Sequence, residues 1–143
     1  MERLAKNSFY YSIAELFLGI LYREFTKIND FTGKTMLAGL HTHAFVLGTF
    51  FFLIVLLLEK QYKLTDHNKF KPFFIVYNIG LISMLFTMTL RGVLEVLEVF
   101  LSGSLDTLIS WISGFTHIAM AAGFVRFFLL LFKRMDAVET QNS

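Results

Sequence analysis

The chain has 143 residues, 55% of them hydrophobic and only 17% charged, with mean hydropathy +0.60, 18 Phe, a single Pro and a formal charge of +2. Soluble domains carry about 25% charged residues, so the polar side chains here are too few to clothe a water-facing surface. An apolar excess is also the reverse of a disorder signature. The lack of Cys removes disulfides, thiolate metal sites, iron–sulfur clusters and Cys nucleophiles. The small net charge, in short clusters, gives no nucleic-acid footprint. The sequence predicts an all-α integral membrane protein.

A membrane-spanning helix takes about 20 mostly apolar residues at ~1.5 Å rise each. The first candidate, 7–25, is interrupted by Glu15. No small-residue cleavage site follows it, so it reads as a helix and not as a signal peptide. The second, 35–58, contains the run FVLGTFFFLIVLLL. The third is 73–91, reaching Leu101 at its longest, and the fourth, 108–132, is broken only by His117 and Arg126. With no repeat or low-complexity tract, 1–143 reads as a single membrane domain, a four-helix bundle.

Short-loop Lys and Arg set the orientation. Arg3, Lys6, Lys60, Lys63, Lys69, Lys71, Lys133 and Arg134 lie on the side of the termini, against Arg23, Lys27, Lys34 and Arg91 on the other. Both termini are therefore expected in the cytoplasm, in a multi-pass protein of a bacterial-type inner or plasma membrane. Trp111 and Tyr22 would mark the outer interface, and Tyr62 and Tyr10 the inner one.

Ionisable residues inside a span are costly and are functional candidates by default. Here they are Glu15, His41, His43, His117 and Arg126. His41 lies ~9 Å inside the outer end of its helix, and His117 at a similar depth in the fourth helix. His41 and His43, two positions apart, point about 200° from each other, so they cannot ligate one atom together. A zinc helix would want histidines at i and i+4. Small residues flank each imidazole: Ala38, Ala44 and Gly48 near His41, Gly39 before His43, and Gly114 and Ala121 around His117. Such smooth faces suit a haem ring held close to the backbone. They equally suit tight helix packing with histidines bonded across helices.

The stretch GLHTHAFVLGTFFFLI, residues 39–54, resembles the His-x-His helix of the catalytic subunit of haem–copper oxidases. In that family the two histidines of such a helix ligate haems on opposite sides of it, and twelve helices form three groups of four. The resemblance implies that this chain is similar to one such group, that His41 and His43 are axial ligands of haem b, and that a homotrimer rebuilds the ring. The family's copper histidines and cross-linked tyrosine have no counterpart in the sequence, and His117 stands as a reserve ligand. Copper or zinc on His41, His43 and His117 is the alternative to haem. No catalytic residue is assigned, and any enzymatic activity would be of oxidoreductase type, with an electron donor that the sequence does not identify.

Arg91 has Glu95 and Glu98 on its own helix face. It reads either as a haem-propionate partner or as a helix-end anchor paired with Glu95. Glu15 and Arg126, both deep in their helices, are expected to pair. Gly33-Lys34-Thr35 lacks the upstream Gly of a phosphate loop, and His67 reads as a solvated loop residue. No Ser–His–Asp set shares a depth, so hydrolysis has no support. The preferred function is haem binding for redox, electron-transfer or gas-ligand chemistry. The alternatives are a small proton or metal-ion transporter or channel subunit, lined by Glu15 and the histidines, and a cofactor-free structural bundle.

Overall fold

The structure, a computed structural model, describes the backbone of residues 1–142 and the side chains of residues 1–140. It is all-helical, with no strand among the described residues. Four long helices account for nearly all of it: α1 (Glu2–Ile28), α2 (Leu37–Tyr62), α3 (Phe70–Val96) and α4 (Gly103–Asn142). A single 3-10 turn, Leu64–Asp66, lies between α2 and α3. α1, α3 and α4 outrun their sequence-derived cores at both ends, and α2 starts two residues late and runs four further, because helices continue into polar residues that hydropathy alone would assign to loops.

The ends show why the chain turns where it does. The third helix stops at Val96, short of Leu101. Glu98 takes a left-handed backbone (φ 53), and the N–H of Val99 reaches back to the carbonyl of Leu94 at 3.0 Å. Asp30 does the same after α1 (φ 50), with Phe31 N–H on the carbonyl of Thr26 at 2.9 Å. Both are Schellman closures built without the usual glycine. At the start of α2, the Glu95 carboxylate accepts the Met36 N–H at 2.7 Å. The Thr35 hydroxyl donates to the Gly92 carbonyl at 2.9 Å. The first turn of α2 is thus tied to the last turn of α3.

Consecutive helices run antiparallel. α1 packs along α2 and α4 along α3, while α2 and α3 form the middle of the bundle. Three close approaches fix these crossings. The Tyr11 ring occupies the space where Gly48 would carry a Cβ. A Cβ on Gly80 would lie 2.9 Å from the backbone of Met120, and one on Gly123 2.9 Å from the Cα of Tyr77. Between them sits an aromatic core. Phe51 stacks on Tyr77 at 4.2 Å, and Phe124 and Phe127 meet Phe51 edge-on at 5.2 and 5.1 Å.

Three helices are long and apolar enough to cross a membrane: α2, α3 and α4 up to Thr140. α1 falls short, yet its outward face is apolar. Phe9, Ile13, Leu16, Phe17 and Ile20 are exposed, while Ser8 is buried and Asn7 and Ser12 are half-buried against the neighbouring helices. Glu15 shares the inward stripe. The inward side mixes Leu4, Tyr11, Leu18 and Phe25 with Ser8, Ser12 and Glu15, and the outward side carries an apolar patch.

Candidate functional site

Three histidines, His41, His43 and His117, sit on helices, and each leaves one ring nitrogen without a protein hydrogen bond shorter than 3.4 Å among the described residues. His43 Nδ1 lies 2.8 Å from the carbonyl of Gly39, and His117 Nδ1 lies 2.8 Å from the carbonyl of Ser113. A carbonyl can only accept, so Nδ1 carries a proton in both rings, and the neutral tautomer this selects presents its lone pair at Nε2. This back-bond to the preceding turn fixes the tautomer and ring orientation that a metal-ligating histidine needs. His41 differs: its Nδ1 is buried with no hydrogen-bond partner, and its Nε2 is 3.4 Å from the Thr42 hydroxyl.

His41 and His43 leave α2 on different sides. The His41 Cβ is 3.7 Å from the position a Cβ would take on Gly19, so this imidazole stands against α1. His43 folds back over Gly39, whose open side faces Met88 of α3. His117 is exposed on α4, on a face where a Cβ at Gly114 would meet nothing within 4 Å. A shallow recess of about 270 Å³ runs beside it, lined by Ser110, Trp111, Gly114, Phe115 and Ile118 among others.

The depths can be compared along α3. His43 is one turn inward of Gly39, which faces Met88, and so falls near Met84 on the antiparallel α3. His117 is three residues outward of Met120, which backs Gly80, and so falls near Ser83. The two imidazoles share a level to within a turn. They do not converge, however: among the described residues no three His, Asp or Glu side chains gather as a metal site. α4 packs behind α3, which separates His117 from His41 and His43 within one chain.

Arg91 is engaged by protein. Its guanidinium lies 3.1 Å from Asp106, 3.8 Å from Glu95 and 3.2 Å from the Ser110 hydroxyl, tying the start of α4 to the end of α3. A cavity of about 560 Å³ opens beside it, lined by Lys34, Glu95, Glu98, Phe100 and Asp106 among others. The expected pair of Glu15 with Arg126 does not form. α1 and α4 flank opposite sides of the α2–α3 pair and share no extended face, and neither residue has an ion-pair partner among the described residues. His67 is half-buried, and its Nδ1 accepts the N–H of Lys69 at 3.1 Å, closing the loop before α3.

Several polar side chains with structural roles escaped the sequence reading. The Asn78 amide oxygen accepts from Asn7 at 3.1 Å and from the Tyr11 hydroxyl at 2.9 Å. Ser8 donates to the Thr49 carbonyl at 2.9 Å, Ser12 to the Thr49 hydroxyl at 3.2 Å, and Tyr77 to the Leu47 carbonyl at 2.8 Å. Glu59 is buried, and its carboxylate accepts both the N–H (2.8 Å) and the hydroxyl of Thr65. At the same end Arg134 donates to the Tyr62 carbonyl at 2.7 Å. The Lys133 ammonium beside Lys69 holds that amine below the usual lysine range, by direct contact first and by repulsion second.

No curated protein and no solved structure matches the chain. The family model described as "Protein of unknown function (DUF2871)" matches residues 1–134, and the chain belongs to that family.

Proposed function

We propose that this protein is an integral membrane haem protein with a redox, electron-transfer or gas-ligand role, working as a homotrimer with both termini in the cytoplasm. The observation that carries the reading is the state of the three imidazoles. Among the described residues, Nε2 of His43 and of His117 has no protein partner while Nδ1 is held by a backbone carbonyl, and in His41 the buried Nδ1 has no partner and Nε2 has only the 3.4 Å contact with Thr42. That is the donor set an axial ligand requires, and the outward apolar faces of all four helices suit a lipid surround.

The residues fit a haem bound between copies better than one inside a single chain. His41 and His43 leave opposite flanks of α2, and His117 stands at the level of His43 on an outer face with room above Gly114. His41 or His43 of one subunit would hold the iron on one side, and a histidine of a neighbouring subunit on the other. Haem bound there would supply a one-electron couple or, with a position left open, a site for a gas ligand. The back-bonds from Gly39 and Ser113 keep the Nε2 lone pairs aimed. Arg91 is already engaged by Asp106 and Glu95, so a propionate would have to displace one of them to reach it.

A second reading, a proton or metal-ion path, draws on the α1–α2 seam, where Glu15 has no ion-pair partner on a stripe with Ser8, Ser12 and Gly19. Absorption spectroscopy of single variants at equal protein concentration separates the two. The haem reading expects His43→Ala to lose the haem or shift it from six- to five-coordinate, with His41→Ala and His117→Ala revealing which imidazole is the partner. Wild-type spectra in all three variants would defeat the ligand assignment. A monomer by detergent-corrected mass, with cofactor retained, would remove the trimer. A C-terminal reporter accessible only from outside the cell would reverse the topology.

A further inference from the structure

α2 is not one continuous α-helix. Residues Ala44–Phe50 are π-helical, directly after the two histidines. A π turn takes in an extra residue, so the parts of the helix before and after it fall out of phase. The burial pattern records that slip. In the inner part Phe52, Val55 and Glu59 are buried, and Gly48 continues the line. Stepping back at ~3.6 residues per turn from there puts the next buried positions near 45 and 41. Ala44 and Leu40 lie short of these positions, while Leu37 falls on the next one back. The exposed line slips the same way: Leu57, Leu53 and Phe50, then Val46 and Phe45 side by side, then Thr42 and Ala38. The buried line of the outer part is turned by ~60° relative to that of the inner part, a little over half a residue.

This rotation decides where the histidines point. In a straight helix in phase with the inner part, His41 would face the middle of the bundle, and His43, ~160° away, would face outward. With the slip, both lie on the shoulders, ~70° and ~90° to either side of the buried line. Both are half-buried, His41 against Gly19 of α1 and His43 over Gly39 on the α3 side.

Two hydroxyls from neighbouring helices reach the carbonyls of the widened turns. Tyr77 donates to Leu47 at 2.8 Å, and Ser8 donates to Thr49 at 2.9 Å. Backbone carbonyls that leave the α-helical ladder in an apolar setting need partners of this kind. Gly48 lets the Tyr11 ring seat against the same segment. We propose that Ser8 and Tyr77 are positioning residues: they hold the π segment, and through it they turn His41 and His43 onto opposite flanks of α2. The consequence for ligation rests on the haem reading; the orientation itself does not.

The chain has no Cys, so single cysteines placed from 38 to 57 can carry nitroxide labels for oxygen-accessibility measurements in lipid vesicles, without haem. The expected wild-type maxima fall at 38, 42 and 45–46, then at 50, 53–54 and 57. Ser8→Ala with Tyr77→Phe should move the outer maxima toward 39, 43 and 46 and leave the inner ones in place. Ser8→Thr, which keeps the hydroxyl, should keep the wild-type phase. A general loosening would raise accessibility without moving the maxima. An unbroken 3.6-residue period in the wild type, or a folded double variant with unmoved maxima, would overturn the proposal. If the double variant does not fold, deletion of the exposed Val46 decides. The shortened helix should keep both phases and be indifferent to Ser8→Ala, and exchange of its lipid and core faces in the outer part would contradict the π assignment.

Discussion

The two helix hairpins of this molecule hold together by different means. α3 and α4 meet through glycine and aromatic contact: Gly80 and Gly123 bring the two backbones together, and Tyr77, Phe124 and Phe127 fill the space beside them. α1 and α2 meet through hydroxyls, with Ser8 and Ser12 on Thr49, reinforced by Asn7 and Tyr11 on Asn78 of α3. When the surroundings are as apolar as the side chains, burial gives little drive to helix association, and close packing and interhelical hydrogen bonds are the two remaining routes. This chain packs closely in both halves, with Gly48 under the Tyr11 ring in the α1–α2 half, and adds interhelical hydrogen bonds chiefly in that half. The polar half is also where the helix departs from α geometry and where His41 and His43 stand.

The contrast predicts its own hierarchy of damage. Gly80→Leu or Gly123→Leu should do the most harm, because the obstructing atoms are helix backbone and cannot step aside. A loss of at least ~3 kcal/mol is expected from overpacking with no room to relax, read as a lowered unfolding midpoint in mixed micelles. An unchanged midpoint would mean that α3 and α4 are not in glycine contact. Asn78→Leu should come next. It removes the acceptor shared by Asn7 and Tyr11 and should cost about 1–2 kcal/mol, the upper range for hydrogen bonds in an apolar setting. A double-mutant cycle with Tyr11→Phe should show coupling, since both variants break the same bond.

Glu15→Gln should change stability by less than about 0.5 kcal/mol, and a cycle with Arg126→Gln should show no coupling, because α1 and α4 are apart. Coupling above ~1 kcal/mol would restore the ion pair that the sequence alone suggested. The smallest effect belongs to the terminal end. Lys69 is held below the usual lysine range mainly by its contact with Lys133, so Lys133→Ala should raise it. The neutral fraction of Lys69 at about pH 9 then falls, and labelling by an amine-reactive reagent should slow. Equal rates in the two proteins would remove the contact.

Four helices and their order were legible from apolar runs, because a span of ~20 such residues is a strong, local signal. Their ends were not. α1 and α3 close on Asp30 and Glu98 in left-handed geometry, where a glycine would have announced the turn. The divergence of His41 and His43 followed from a two-residue spacing, but its actual angle depends on a π segment that the sequence does not announce, because residues 44–58 are apolar on almost every face. The expected partner of Glu15 was wrong for a topological reason: equal depth in two helices says nothing about whether those helices touch. Asn78 and Ser8 were overlooked because uncharged polar residues in an apolar helix barely alter its hydropathy, although they decide which face turns inward.

The central claim is that the imidazoles of this helical protein exist to hold haem, and the wild-type spectrum tests it most directly. Protein purified in mild detergent from haem-replete cells should be coloured, with a Soret band that moves on dithionite reduction and visible bands of a bis-histidine b-type haem. Colourless protein, with no Soret band after haem is added back in stoichiometric amount, would contradict it.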